Sequence, residues 1–220
     1  MDWTALRLSL TLGLWTIAIL LPLGIVVGQW LAWGRFRGKA LAEAMLALPL
    51  VLPPTVLGYY LLVTLGAHSP LGQVFESLFG QGLVFSFSGL VVASVLVNLP
   101  FAIQPMQRAF EAIPSEVREA AACCGMSRWR MLIHIDLPLA WPGILTAMVL
   151  SFTHTLGEFG VVLMVGGSIP GETKTIAVAI YDRVQAFDDG AAGTMAALLL
   201  ALSFATIGIS YALTNRRQGR

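Results

Sequence analysis

Leu8–Trp33, LSLTLGLWTIAILLPLGIVVGQWLAW, runs between Arg7 and Arg35 without one charged side chain. A helix needs about 20 apolar residues to cross the roughly 30 Å hydrocarbon core of a bilayer, and this stretch exceeds that. It is longer than the apolar core of a secretory signal, and neither a basic leader nor a small-residue cleavage site accompanies it. The segment therefore predicts a retained transmembrane helix, with lipid as the solvent for the rest of the chain.

Four further uncharged stretches follow. Ala44–Ala67 contains the breaker cluster Pro49, Pro53 and Pro54; Leu83–Gln107 carries Pro100 and Pro105 in its second half; the others are Leu139–Gly157 and Gly190–Asn215. In hydrocarbon every backbone polar group must be satisfied within its own segment, which a helix achieves and a lone strand does not. The expectation is an all-α, polytopic integral membrane protein with about five transmembrane helices, six if the broken second segment counts twice, in one domain spanning 1–220. Composition agrees: 57% of the 220 residues are hydrophobic and 11% charged, against about 25% charged in a soluble domain. The net charge is +1, and no basic stripe with interleaved aromatics points to nucleic acid. Cys123 and Cys124 are adjacent, a spacing that suits neither a disulfide framework nor a metal site.

Basic residues set the expected orientation. With the N-terminus outside, the inner loops hold Arg35, Arg37 and Lys39, then Arg108, Arg118, Arg128 and Arg130, then Arg216, Arg217 and Arg220; the outer side holds only Arg7, Lys174 and Arg183. The C-terminus is then inside. The outer loop Gly66–Gly82 has no Lys or Arg, and Ser69-Pro70 can open a short helix there. Val74, Phe75, Leu78 and Phe79 would share one face of it, as in a surface-lying segment.

The inner loop, about 111–138, is too long for a simple connector and too regular for a floppy one. Pro114 and Glu116 suit a helix start, Gly125 suits its left-handed stop, and Ser127 suits the cap of a second short helix. In that helix Trp129, Leu132 and Ile133 share a face, and Pro138 is expected to end it. The expected product is a helix-turn-helix on the inner membrane surface displaying Glu119 and the small residues Ala120, Ala121 and Ala122. Small residues admit a partner's surface, and a glycine fixes the angle between two rods. A hairpin packed on lipid headgroups would have the same pattern.

Glu119-Ala120-Ala121, three residues, Gly125, nine residues, then Ile135-Asp136-Leu137-Pro138 resembles, without a gap, the EAA loop of ATP-binding-cassette importer permeases. Leu48-Pro49-Leu50-Val51-Leu52-Pro53-Pro54, Gly157-Glu158-Phe159-Gly160 and Ile169-Pro170-Gly171-Glu172-Thr173-Lys174-Thr175-Ile176 resemble the molybdate branch of that family. The sulfate and thiosulfate permeases share part of the pattern but tend to be longer. The resemblance implies a type I importer permease fold in a bacterial cytoplasmic (inner) membrane. It also implies a homodimer around a central path, two cytoplasmic ATPase subunits gripping the EAA loop, and a periplasmic molybdate-binding protein. Tungstate, of nearly the same size and charge, is expected to follow molybdate. This chain lacks a G-x-x-x-x-G-K-[ST] loop, so it is not expected to be an enzyme or to bind a cofactor; ATP and magnesium would belong to the partner.

A transported dianion must not be trapped, and the spans contain no Lys or Arg. Neutral donors Thr55, Asn98, Ser151, Thr153 and Thr155 could line the path or could instead bond within and between helices. Glu158 lies about 26 Å along a helix from Trp141 at 1.5 Å per residue, near the outer edge of the hydrocarbon. It would repel the dianion, so a structural or gate-forming role beside Gly157 and Gly160 is expected. His154 could pair with it at i,i+4 or bond elsewhere. A membrane enzyme would need a catalytic cluster beyond these two residues, and an ion-coupled carrier would need midplane acids. Neither accounts for the loop.

Overall fold

The computed structural model describes residues 1–218, with side chains up to residue 212. The side chains of Arg216 and Arg217, whose charges are expected inside, and the whole of Arg220 lie outside the described residues, as does the side chain at the expected span limit, Asn215. The described residues fold into helices joined by short loops: α1 Trp3–Trp33, α2 Lys39–Val51, α3 Pro54–Leu65, α4 Pro70–Phe79, α5 Phe87–Glu111, α6 Ser115–Cys123, α7 Arg128–Met131, a π turn Leu132–Asp136, α8 Leu137–Gly157, α9 Gly160–Gly166, α10 Ile176–Gln185 and α11 Asp189–Gln218. Four runs are long and apolar enough to span a membrane, and the bent pair α2–α3 makes a fifth.

Helices α1, α5 and α8 form the centre. Met106, Phe110 and Ile113 from α5 and the turn after it meet Ala140, Ile144 and Ala147 of α8. Leu8 and Leu12 of α1 meet Leu90, Val162 and Val178. Small residues at these crossings let the backbones approach, which is how helices associate when lipid is as apolar as their side chains. The outward faces stay apolar: Val26 is 65% exposed and Phe204 78%. That would be costly in water and suits hydrocarbon.

The second segment is broken at the expected proline cluster, and several boundaries elsewhere needed correction. The segment Ala44–Ala67 is two helices bent by 110°, because Pro53 and Pro54 supply no N–H and push Leu52 to an extended ψ of 137°. Pro49, by contrast, sits inside α2. The third span begins later than Leu83, at Phe87, because Ser86 caps it by accepting from the Gly89 N–H at 3.1 Å. Pro138 does not end the second loop helix. Arg128–Gly157 runs on as one 30-residue span, with Leu137 N–H bonded to Leu132 O across the π turn. Pro138, in the first turn of α8, needs no donor to continue it. The loop is therefore the expected helix-turn-helix, α6, the Gly125 turn and α7, with its second helix running on into the fourth span instead of ending. Helices α9 and α10 were not foreseen. Ser69 does cap α4, accepting from Gly72 N–H at 2.8 Å, and Val74, Leu78 and Phe79 are exposed along it.

Candidate functional site

Loop helix α6 is nine residues long, with Glu116 in its first turn and Ala121 its one buried residue. Glu119, Ala120 and Ala122 are exposed. Its end is a Schellman stop: Gly125 N–H bonds to Ala122 O at 2.9 Å and Met126 N–H to Ala121 O at 3.1 Å, with Gly125 at φ +73°. Ser127 then caps α7, accepting from Arg130 N–H at 3.4 Å. Of the motif's second half, Ile135 and Leu137 are half-buried and Pro138 is exposed. The two halves of the motif thus lie on α6 and at the foot of the fourth span, joined by one fixed turn.

Asp136, between them, was not singled out from sequence. Its side chain is 3% exposed and its Oδ1 lies 3.3 Å from Arg118 Nε. The Arg118 guanidinium stacks 3.4 Å from the centroid of Trp33, the last residue of α1. The signal was a lone acid in an apolar run. A cavity of about 900 Å³ opens beside this group, lined among others by Trp30, Trp33, Arg118, Glu119 and Trp129.

The candidates for a path or gate separate into two groups. Thr55, Gly157, Glu158 and Gly160 belong to two helix breaks that pack together. A Cβ added to Gly160 would stand 2.8 Å from Pro54 Cβ and 3.5 Å from Thr55 N, so the start of α9 abuts the start of α3. Glu158 is in the break itself, not in a helix as expected, with extended φ −68° and ψ 122°. It is 8% exposed, and its Oε1 accepts from Val161 N–H at 3.0 Å. The carboxylate thus satisfies a free donor at the start of α9, and His154 Nε2 lies 3.7 Å from its other oxygen. The His154 ring also stacks on Phe101 at 4.2 Å. Interrupted helices at membrane depth occur where backbone is buried in protein or lines a cavity.

Asn98, Ser151 and Thr155 form the second group and lie inside the protomer, none more than 2% exposed. Thr16 donates to Ser94 Oγ at 2.9 Å, and Asn98 Nδ2 donates to Thr155 Oγ1 at 3.1 Å and to Ser94 O at 2.8 Å. This seam ties α1, α5 and α8 together. Thr153 bonds back to Val149 O at 2.8 Å. Among the described residues no three His, Cys, Asp or Glu side chains gather as metal ligands.

Residues 21–220 match the family described as "Binding-protein-dependent transport system inner membrane component". The chain is 46% identical over 218 residues to the molybdenum transport system permease protein ModB of Azotobacter vinelandii, covering 99% of this chain and 96% of that one. It is 32% identical over 182 residues to the sulfate transport system permease protein CysT of Escherichia coli K12, covering 81% and 65%. In fold it is similar to a chain of a bacterial ABC transporter that imports alginate, with a TM-score of 0.78 at 16% identity over 97% of this chain and 78% of that one. The protein is a multi-pass membrane protein with the type I importer permease fold, and it belongs to the family of binding-protein-dependent inner membrane transport components.

Proposed function

We propose that this chain is the translocation subunit of an ATP-driven importer of molybdate, and of tungstate with it. The observation that carries the substrate is the 46% identity to a molybdenum permease over nearly the full length of both chains. Likeness to the sulfate permease is lower and leaves a third of that protein unmatched. Two copies would enclose the path, with the N-terminus outside and the C-terminus inside, as the excess of Arg in the α1–α2 and α5–α8 loops supports.

The α6 helix, with Glu119, Ala120 and Ala121 before the Gly125 stop, would seat in a groove of each cytoplasmic ATPase. Its geometry suits docking, since it is a short rod with a small-residue outer surface, set at a fixed angle to the foot of a span. ATPase closure would move the rod, and the paired breaks at Thr55 and at Gly157, Glu158 and Gly160 would give way as the gate. The stretches 8–33, 44–67, 83–107, 139–157 and 190–215 carry no Lys or Arg that would hold the dianion, so selection would fall to the external binding protein, whose closed pocket can gauge size.

Reconstituted vesicles holding this chain, its ATPase and its own binding protein test the assignment. Uptake of labelled molybdate should require ATP and the binding protein and should exceed that of sulfate. Sulfate uptake equal to molybdate uptake would move the chain to the sulfate branch.

A further inference from the structure

The loop helix has little to hold it. Ala121 is the one buried residue of its nine, and among the described residues α6 packs its backbone extensively on no other helix. One side chain makes up the difference. Arg118 reaches Asp136 in the π turn at 3.3 Å and lies 3.4 Å over the Trp33 ring, which in turn meets Phe110 of α5 at 5.5 Å. A single guanidinium therefore touches α1 and the foot of the fourth span while standing one residue from the outward-facing Glu119. Asp136 is sealed from solvent at 3% exposure, so its interaction is little screened. A planar cation that stacks and pairs at once calls for arginine rather than lysine. A π turn at the point of contact is the kind of helix irregularity found at working sites.

We propose that Arg118 is the strut that passes movement of the loop helix into α1 and the fourth span. It is a positioning residue for coupling and not a docking contact. The inference rests on the proposal that α6 seats on the ATPase. Without the strut, a push on the Glu119 face swings a helix held by its ends and Ala121 alone; with it, the push arrives at Trp33 and Asp136. The strut is distinct from the docking face, because Arg118 is half-buried against Trp33 and Asp136 while Glu119, Ala120 and Ala122 are exposed.

The test uses the assembled complex in vesicles with Arg118→Met, Arg118→Lys and Arg118→Met/Asp136→Leu. The double variant is needed because a lone Arg118→Met leaves a buried carboxylate unpaired, a strongly destabilising change; replacing both charges removes that penalty and keeps the loop folded. Three quantities are read: ATPase affinity for the permease, basal hydrolysis, and hydrolysis stimulated by molybdate-loaded binding protein.

The double variant should bind ATPase with native affinity and keep basal hydrolysis, whereas the lone Arg118→Met adds the cost of an unpaired buried carboxylate. Stimulation should fall about tenfold in both, within the usual span of coupling between sites, and Arg118→Lys should restore part of it. Native stimulation in the double variant overturns the proposal. Loss of ATPase affinity in parallel with stimulation also overturns it, by making Arg118 a docking contact. If the native complex instead shows ATPase binding that Glu119→Lys does not weaken, the fault lies in the docking assignment and not in the strut.

Discussion

Replacing Gly125 separates backbone strain from contact at the loop's turn. Its φ is +73°, and a Cβ added there meets no atom within 4 Å, so Ala introduces no clash within the protomer. What remains is the left-handed conformation, which costs an ordinary L-residue about 1–2 kcal/mol. If the docked loop needs this turn, that cost appears as weaker association, by about 5–30-fold at 1.4 kcal/mol per tenfold. Asn tolerates the left-handed region much better, so Gly125→Asn should lose only a few-fold although its side chain is larger. The assay is titration of purified permease with its ATPase, followed by binding. The expected order is Gly, then Asn, then Ala, with β-branched Val weakest. Two results refute the strain account: Ala binding as tightly as Gly, or Asn binding worse than Ala. The latter would mean that side-chain bulk on the docking face sets the loss.

Three further outcomes follow from the geometry. In a chain with Cys123 and Cys124 replaced by Ser, a membrane-impermeant thiol reagent added outside should label Cys placed at the exposed Gln73 and Asp189 (Gln73→Cys, Asp189→Cys) but not Arg37→Cys or Ser127→Cys; outside labelling at residue 127 reverses the orientation. Gly160→Ala presses on Pro54 Cβ from 2.8 Å and should lower thermal stability in detergent by about 1–3 kcal/mol through overpacking. Gly157→Ala faces open space and should change stability little. Thr155→Val removes an acceptor of the Asn98 amide and should destabilise by about 0.6–2 kcal/mol while leaving the preference for molybdate over sulfate unchanged; altered preference would return Thr155 to the path.

The spans were legible because lipid demands apolar residues on every face, so length alone reveals them. The bend in the second was legible in Pro53-Pro54, which cannot donate. Helix α9 was not: Gly160–Gly166 is seven residues of apolar sequence, too short for periodicity to distinguish from the end of the preceding span. The direction of a polar residue within a span was equally hidden for Asn98 and Thr155 taken singly. In a pair it shows, because Ser94 and Asn98 repeat at i,i+4 on α5 and both reach Thr155 of the adjacent helix. The motif located α6 and its glycine stop. It said nothing of Arg118, whose partners Trp33 and Asp136 lie on two other elements and are brought to it only by packing.

Cys123 and Cys124 offer the most direct measurement of the central claim, that α6 is where the ATPase seats. Both thiols are exposed and unbonded in the free protomer, at the end of the helix that carries Glu119. In detergent-solubilised permease they should react readily with a bulky maleimide. Saturating ATPase should slow that reaction sharply, while the external binding protein should leave it unchanged. Equal labelling rates with and without bound ATPase would contradict the docking assignment.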